Sequence, residues 1–306
     1  MIRATWQALA LLVAGSLLVG CSMLSLGYNR LPELGVLWVQ RQVSLDGPQA
    51  ETLDQDLRTL LAWHRQTQLG PTADLLRHWQ GLTAHELSAD QVCHEFDKVR
   101  QLLDPVTTQA LPGLVALARS LTPPQRQALA ASQQKSHEAF RRDHLATTAT
   151  RPWMGLGQAH AAPAETPFTA ASVAKRLDTA TGRYEMLYGS LTPAQQDALR
   201  QSVVKSSFQP ERILAERERR TADLLRTLEQ VGAADSDPQA QALLQGWLSR
   251  WQVSPTPGHA AYVKALTREG CGQFATLHRL ATPTQRAEAA RVLALYEADL
   301  RQLALR

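Results

Sequence analysis

The chain has 306 residues, 44% of them apolar, with 32 Lys+Arg against 28 Asp+Glu. That length supports one large domain or two small ones around a packed core. Seventeen Gly and 16 Pro are too few for a collagen-like or disordered chain. A formal charge of +4 leaves no nucleic-acid footprint. Aromatics at 6%, with Ala, Leu, Gln and Arg abundant, favour helix over sheet.

Arg3 precedes an apolar run from Ala8 to Gly20. A helix of that length rises about 20 Å, short of the ~30 Å hydrocarbon core, so the run reads as a secretory signal and not a spanning helix. It ends in Leu18-Val19-Gly20-Cys21, which resembles the bacterial lipobox. The resemblance implies cleavage before Cys21 and acylation there, with several chains giving stable attachment where one would not. Ser22, in place of the Asp that retains such proteins at the inner membrane, implies an outer-membrane anchor facing the periplasm. An ordinary signal peptide with a chance cysteine is the alternative. Residues 1–20 are thus read as a signal peptide and 21–44 as a lipidated, membrane-proximal segment. Within the latter, residues 31–43 carry Leu34, Val36, Leu37, Trp38 and Val39. They form either an interfacial helix on the membrane or one docked into the protein's own core.

From residue 45 onward the apolar spacing is helical nearly throughout. Leu53, Leu57, Leu60, Leu61 and His64 mark one face of a helix over about 48–68, and Leu75, Leu76, Trp79 and Leu82 mark the next. Ser88-x-x-Gln91 is a capping box leading into Val92, Phe96, Val99 and Leu103, and Asp104-Pro105 starts another helix. Leu121-Thr122-Pro123-Pro124-Gln125, Leu191-Thr192-Pro193-Ala194-Gln195 and Ala281-Thr282-Pro283-Thr284-Gln285 then repeat one start signal. Each has Thr at the N-cap, Pro in the first helical position and Gln reaching back from the third.

Residues 147–168 are Ala/Thr/Pro-rich without period, a loop, lid or linker. Beyond them the spacing predicts helices over 169–189, 193–208, 210–231, 237–252, 258–279 and 283–304. The fold predicted is all-α: a bundle of about ten helices in two tied halves, 45–146 and 169–306.

Little in the sequence signals catalysis. Ser132/Lys135, Ser172/Lys175 and Ser202/Lys205 have the Ser-x-x-Lys spacing of penicillin-recognising enzymes but lack their other motifs. His85, His94 and His137 each precede Glu, yet the residue four further on is Ala89, Lys98 or Arg141, so no zinc-protease helix forms. Gly155-Leu156-Gly157 follows no strand. No metal or cofactor is predicted. His137 and His144, with Arg141 between them, are read as solvated surface, and Arg212, Glu216 and Arg220 as a solvated face with i,i+4 pairs.

Four residues stand out after Cys21. In an oxidising compartment Cys93 and Cys271 are disulfide candidates, two unconnected thiols being the alternative. His64 continues an apolar stripe, as a hydrogen-bonded core residue or as one contacting a ligand. Arg217 falls between Leu214 and Leu224 on an inward stripe, where it needs a carboxylate partner or an anionic ligand.

Several segments resemble a proteobacterial family of all-helical lipoproteins of unknown function. They are Leu26-Gly27-Tyr28-Asn29, Leu60-Leu61-Ala62-Trp63-His64-Arg65, Phe140-Arg141-Arg142-Asp143-His144-Leu145 and Glu216-Arg217-Glu218-Arg219-Arg220. The Leu-Thr-Pro-x-Gln starts are also similar to Leu-Thr-x-x-Gln motifs of small periplasmic stress chaperones. The family resemblance implies location and fold and supplies no activity; the chaperone motif, which there caps helices of a cradle for unfolded clients, lends some support to a binding role. The function expected is a non-catalytic binding or scaffolding module in envelope assembly or stress, bound to the membrane by its lipid, with an envelope protein or cell-wall partner and no nucleic acid. Two alternatives stand beside it. One is an enzyme on cell wall or lipid, requiring His64, Arg217 and an acid in one cleft. The other is a carrier of a hydrophobic ligand, signalled by an apolar cavity between the halves.

Overall fold

The computed structural model describes residues 23–145 and 169–306. The proposed signal peptide, Cys21 and the 147–168 loop lie outside the described residues. Within them the chain is helical and carries no strand. The first half comprises α1 (Met23–Asn29), α2 (Leu31–Val43), α3 (Gly47–Thr67), α4 (Leu69–Leu82), α5 (Ala89–Gln101), α6 (Leu103–Ser120) and α7 (Pro123–His144). The second comprises α8 (Ala170–Tyr188), α9 (Pro193–Lys205), α10 (Pro210–Gly232), α11 (Asp237–Gln252), α12 (His259–Arg279) and α13 (Pro283–Ala304). The described helices outnumber the ten or so predicted, α1 over Met23–Asn29 being one that the apolar spacing did not single out. Among the described residues no helix is long and apolar enough to cross a membrane.

Local chemistry explains where the helices begin. Thr122, Thr192 and Thr282 each accept a hydrogen bond from the backbone N–H of the Gln three residues on, and that Gln side chain accepts from the Thr backbone N–H. Ser88 with Gln91 and Asp46 with Gln49 do the same. Two of the four N–H groups orphaned at each start are thereby satisfied. At the other end of α8, Gly189 turns the chain with φ +70° and returns its N–H to the Glu185 carbonyl.

Packing sorts the helices into two groups, each drawing on both sides of the 147–168 segment. In one, Leu53 of α3, Val115 of α6, Leu129 of α7, Val231 of α10 and Leu244 of α11 share a core, with Val43 at the end of α2. In the other, α13 lies along α4, burying Leu69 and Ala73 against Leu300 and Leu303, and Tyr28 of α1 joins them. Leu191, Leu199 and Leu277 form a further core among α9, α12 and the α8–α9 turn. Cys93 of α5 and Cys271 of α12 are joined as a disulfide across 178 residues of sequence, with Cα atoms 5.4 Å apart.

Candidate functional site

The motifs singled out in the sequence meet in pairs. Tyr28 of α1 shares a hydrogen bond with His64 Nδ1 at 2.9 Å, and Arg65 Nη2 donates to Asn29 Oδ1 at 2.8 Å. Burial lowers the His64 pKa below its ordinary value, so the ring is neutral near pH 7. At a separate place, the Arg217 guanidinium stacks over the Phe140 ring at 4.9 Å and donates to Ser136 Oγ at 2.9 Å. Its neighbour Glu218 pairs with Arg141. Arg217 is half-buried and, among the described residues, forms no ion pair. An aromatic face and a hydroxyl stand where a carboxylate was sought. Among the described residues His64 and Arg217 have no hydrogen-bonding partner in common.

Two predictions about polar faces are corrected. Glu216 is buried, at 6% exposure, and is not on a solvated face. The chain after α11 folds back over it, bringing the Ser254 and Thr256 hydroxyls each to 3.0 Å, while Arg219 and Arg220 approach to 2.8 Å from its own helix. Burial raises its pKa, but these four donors outweigh it and hold the carboxyl down to about 2. Asp223, two turns on, is likewise buried and held by both Nε and Nη2 of Arg250. His137 is also buried, beside Thr221 of α10 at 3.3 Å, because α10 covers that face of α7. Among the described residues no group of three or more His, Cys, Asp or Glu could hold a metal ion.

Among the described residues, one feature with capacity for a ligand is an apolar cavity of about 300 Å³, at the lower end of the range for small-molecule sites. Five helices wall it. Trp79 and Leu82 come from α4, Val92, Phe96 and Val99 from α5, Leu187 from α8, Phe274 from α12 and Leu293 from α13. The wall therefore comes from both sides of the 147–168 segment. Its polar side chains are engaged with the protein. Glu95 accepts from Trp79 Nε1 at 3.0 Å and from Lys98 Nζ at 2.9 Å, with His78 beside it. Burial raises the Glu95 pKa, and those three hydrogen bonds bring it down to about 2. Thr83 Oγ1 donates to the Gln80 carbonyl. His278 Nε2 lies 2.8 Å from the His85 carbonyl and must donate to it, leaving Nδ1 to accept from the Tyr188 hydroxyl at 2.7 Å. Burial lowers the His278 pKa and raises that of Tyr188, so both stay neutral. What faces the cavity is hydrocarbon and aromatic surface.

α5 forms one wall on unusual terms. None of its residues is fully buried, and Phe96 is half exposed. Its apolar stripe faces the cavity while the Cys93–Cys271 bond fastens it to α12. Cavity and disulfide thus share two helices. The sequence pattern put Val92, Phe96, Val99 and Leu103 in one apolar run; Leu103 instead opens α6 and is 59% exposed, and no spacing rule shows that the space beneath the other three is left unfilled.

No curated protein and no solved structure matches the chain. Over residues 41–153, a stretch that contains α3 to α7 and stops short of the other three helices of the cavity wall, the chain is similar to a family of unknown function (DUF6279).

Proposed function

We propose that this chain is a lipoprotein held by acylated Cys21 to the periplasmic face of the outer membrane, and that its bundle is a non-catalytic binding module for an alkyl or acyl chain. The anchor is supported by the apolar run that ends at Leu18-Val19-Gly20-Cys21, and by a disulfide, a bond that persists in oxidising compartments. The binding role is carried by one observation: the apolar cavity of about 300 Å³, whose polar side chains are all hydrogen-bonded to the protein. Such a wall offers a ligand no unmatched donor or acceptor, so recognition runs through burial of apolar surface. It likewise offers no spare proton donor or acceptor to a reacting group.

The test is photolabelling of the membrane-held protein with a diazirine-bearing palmitate analogue, adducts being mapped by peptide mass spectrometry. Adducts should fall on α4, α5 and α12 around Trp79, Phe96 and Phe274. Leu187→Trp, which fills the cavity, should reduce them about tenfold with the helical circular dichroism unchanged. Adducts lying elsewhere, or unaffected by Leu187→Trp, overturn the binding role. The anchor is tested separately by the mass of the N-terminal peptide, which should begin at Cys21 and carry acyl chains.

A further inference from the structure

α2 is apolar on two opposite sides. Residues on a helix advance about 100° each, which puts Pro32, Val36, Val39 and Val43 on one side, where they pack against the protein. The same rotation puts Leu31, Leu34, Leu37 and Trp38 on the other, where they are 49%, 51%, 47% and 64% exposed. Leu26 of α1 adds a further exposed apolar side chain at 52%. A helix apolar on both sides is buried on both sides or faces lipid, and isolated exposed leucines would need no explanation where this cluster does.

We propose that the outer face of α1 and α2 docks on a phospholipid bilayer, with Leu26, Leu31, Leu34, Leu37 and Trp38 in the interfacial layer. Two observations select lipid over another occupant. The face directly follows the apolar run 8–20 and Cys21, and the five residues from Cys21 to Leu26 reach at most about 17 Å. Any attachment at Cys21 therefore keeps α1 and the start of α2 within that reach of the membrane surface. Its borders also suit an interface: Arg30 and Arg41 are exposed at its edges, placed for lipid phosphates, and the indole of Trp38 belongs at headgroup depth. The acidic Glu33 is turned to Arg58 of α3, in an ion pair of 3.2 Å. Docking along α2 orients the whole bundle against the membrane, which a flexible lipid tether alone does not do. The docking face rests on the membrane address proposed above.

The test uses the full chain expressed with its own N-terminus, purified from membranes and reconstituted in vesicles of phosphatidylethanolamine and phosphatidylglycerol carrying doxyl lipids. An NBD fluorophore is attached at Trp38→Cys and, in a second protein, at Val253→Cys, a site 68% exposed on the α11–α12 connection. Lipid-borne quencher should reduce the signal at position 38 at least threefold more than at position 253, and Leu34→Glu with Leu37→Glu should abolish the difference. Equal quenching at the two sites overturns the proposal, as does protection of position 38 by a second copy captured in crosslinks. The N-terminal mass separates the two ideas. An acylated chain unquenched at 38 keeps its anchor and loses the docking face. A chain without acyl groups but quenched at 38 keeps the docking face and loses the anchor, and one with neither loses both.

Discussion

Gln49 and Gln125 face each other amide to amide, 76 residues apart in sequence: Gln49 Nε2 donates to Gln125 Oε1 at 3.1 Å and Gln125 Nε2 to Gln49 Oε1 at 2.6 Å. Each also closes its own capping box and donates to the carbonyl that ends the approach to the other's helix, Ser120 for Gln49 and Ser44 for Gln125. Gln195 and Gln285 are joined in one direction: Gln285 Nε2 donates to Gln195 Oε1 and to the Ser190 carbonyl, each at 2.9 Å, while Gln195 Nε2 donates to the Leu277 carbonyl at 3.3 Å. Four helix starts are thus knotted two by two. In each, the residue before the N-cap (Leu45, Leu121, Leu191, Ala281) and the residue four after the Gln (Leu53, Leu129, Leu199, Ala289) are buried. A capping motif that stabilises an isolated helix has become the joint between helices.

Such joints are cooperative. Gln125→Ala removes the reciprocal capping bond and leaves the Ser44 carbonyl and the Gln49 amide short of partners, at a cost of roughly 2–3 kcal/mol. Gln49→Ala should cost a similar amount. The double variant should lose clearly less than the sum, since the second substitution finds the pair already broken. Urea denaturation of the four proteins measures this. Additive losses mean that the two amides do not depend on each other.

These joints mark how far the sequence could be read. The Thr-Pro-x-Gln starts were legible because capping is local, and the helices they open begin at Pro123, Pro193 and Pro283, where the motif put them; Pro210 and Asp237, opened by other residues, also begin their helices within a residue of the spacing. The fourth member, Asp46-Gly47-Pro48-Gln49, escaped because Asp replaces Thr and Gly intervenes, although it caps by the same geometry. That the Gln residues would pair was not legible, nor was the burial of Glu216 and His137. Each depends on a segment far off in sequence covering a face that looks polar. The cavity escaped for the same reason: five helices meet there, and an unfilled volume has no periodicity. α2 left two options open in the sequence, core or membrane, and its two apolar sides show why spacing could not choose.

Acid should destabilise the fold in two stages. The lowered pKa values of His278, His64 and His137 mean that these rings stay neutral when folded and bind protons when unfolded. Stability is therefore full above the unfolded value near 6.5 and falls as pH drops below it. Glu216 and Glu95, each held down to about 2, stay ionised when folded. Their contribution is full above the ordinary glutamate value and is lost as pH falls from about 4.5 towards 2. Denaturation followed from pH 8 to 2 should show both declines. Glu216→Gln should flatten the lower one while costing roughly 2–3 kcal/mol at pH 7, where Arg219 and Arg220 lose their shared carboxylate. His278→Asn should flatten the upper one. A variant whose profile parallels that of the parent at every pH clears the substituted group of any part in the decline.

The disulfide should matter more to the cavity than to the bundle as a whole. α5 has no fully buried residue and meets the rest of the bundle chiefly at α12, where the Cys93–Cys271 bond lies. Removing a bond that closes so long a loop costs roughly 2–5 kcal/mol of global stability, and the local effect should exceed this in reach because α5 has little other burial to hold it. In Cys93→Ser with Cys271→Ser, hydrogen exchange should accelerate in α5 well before it does in α13, which lies along α4 with Leu300 and Leu303 buried. Palmitate-analogue adducts on Phe96 should fall in the same protein, because the wall that carries Phe96 no longer stands against Phe274. Uniform acceleration across α5 and α13 assigns the bond a purely global role. Unchanged adduct yield with α5 released removes α5 from the binding wall, and with it the structural reason for placing a ligand beneath that helix.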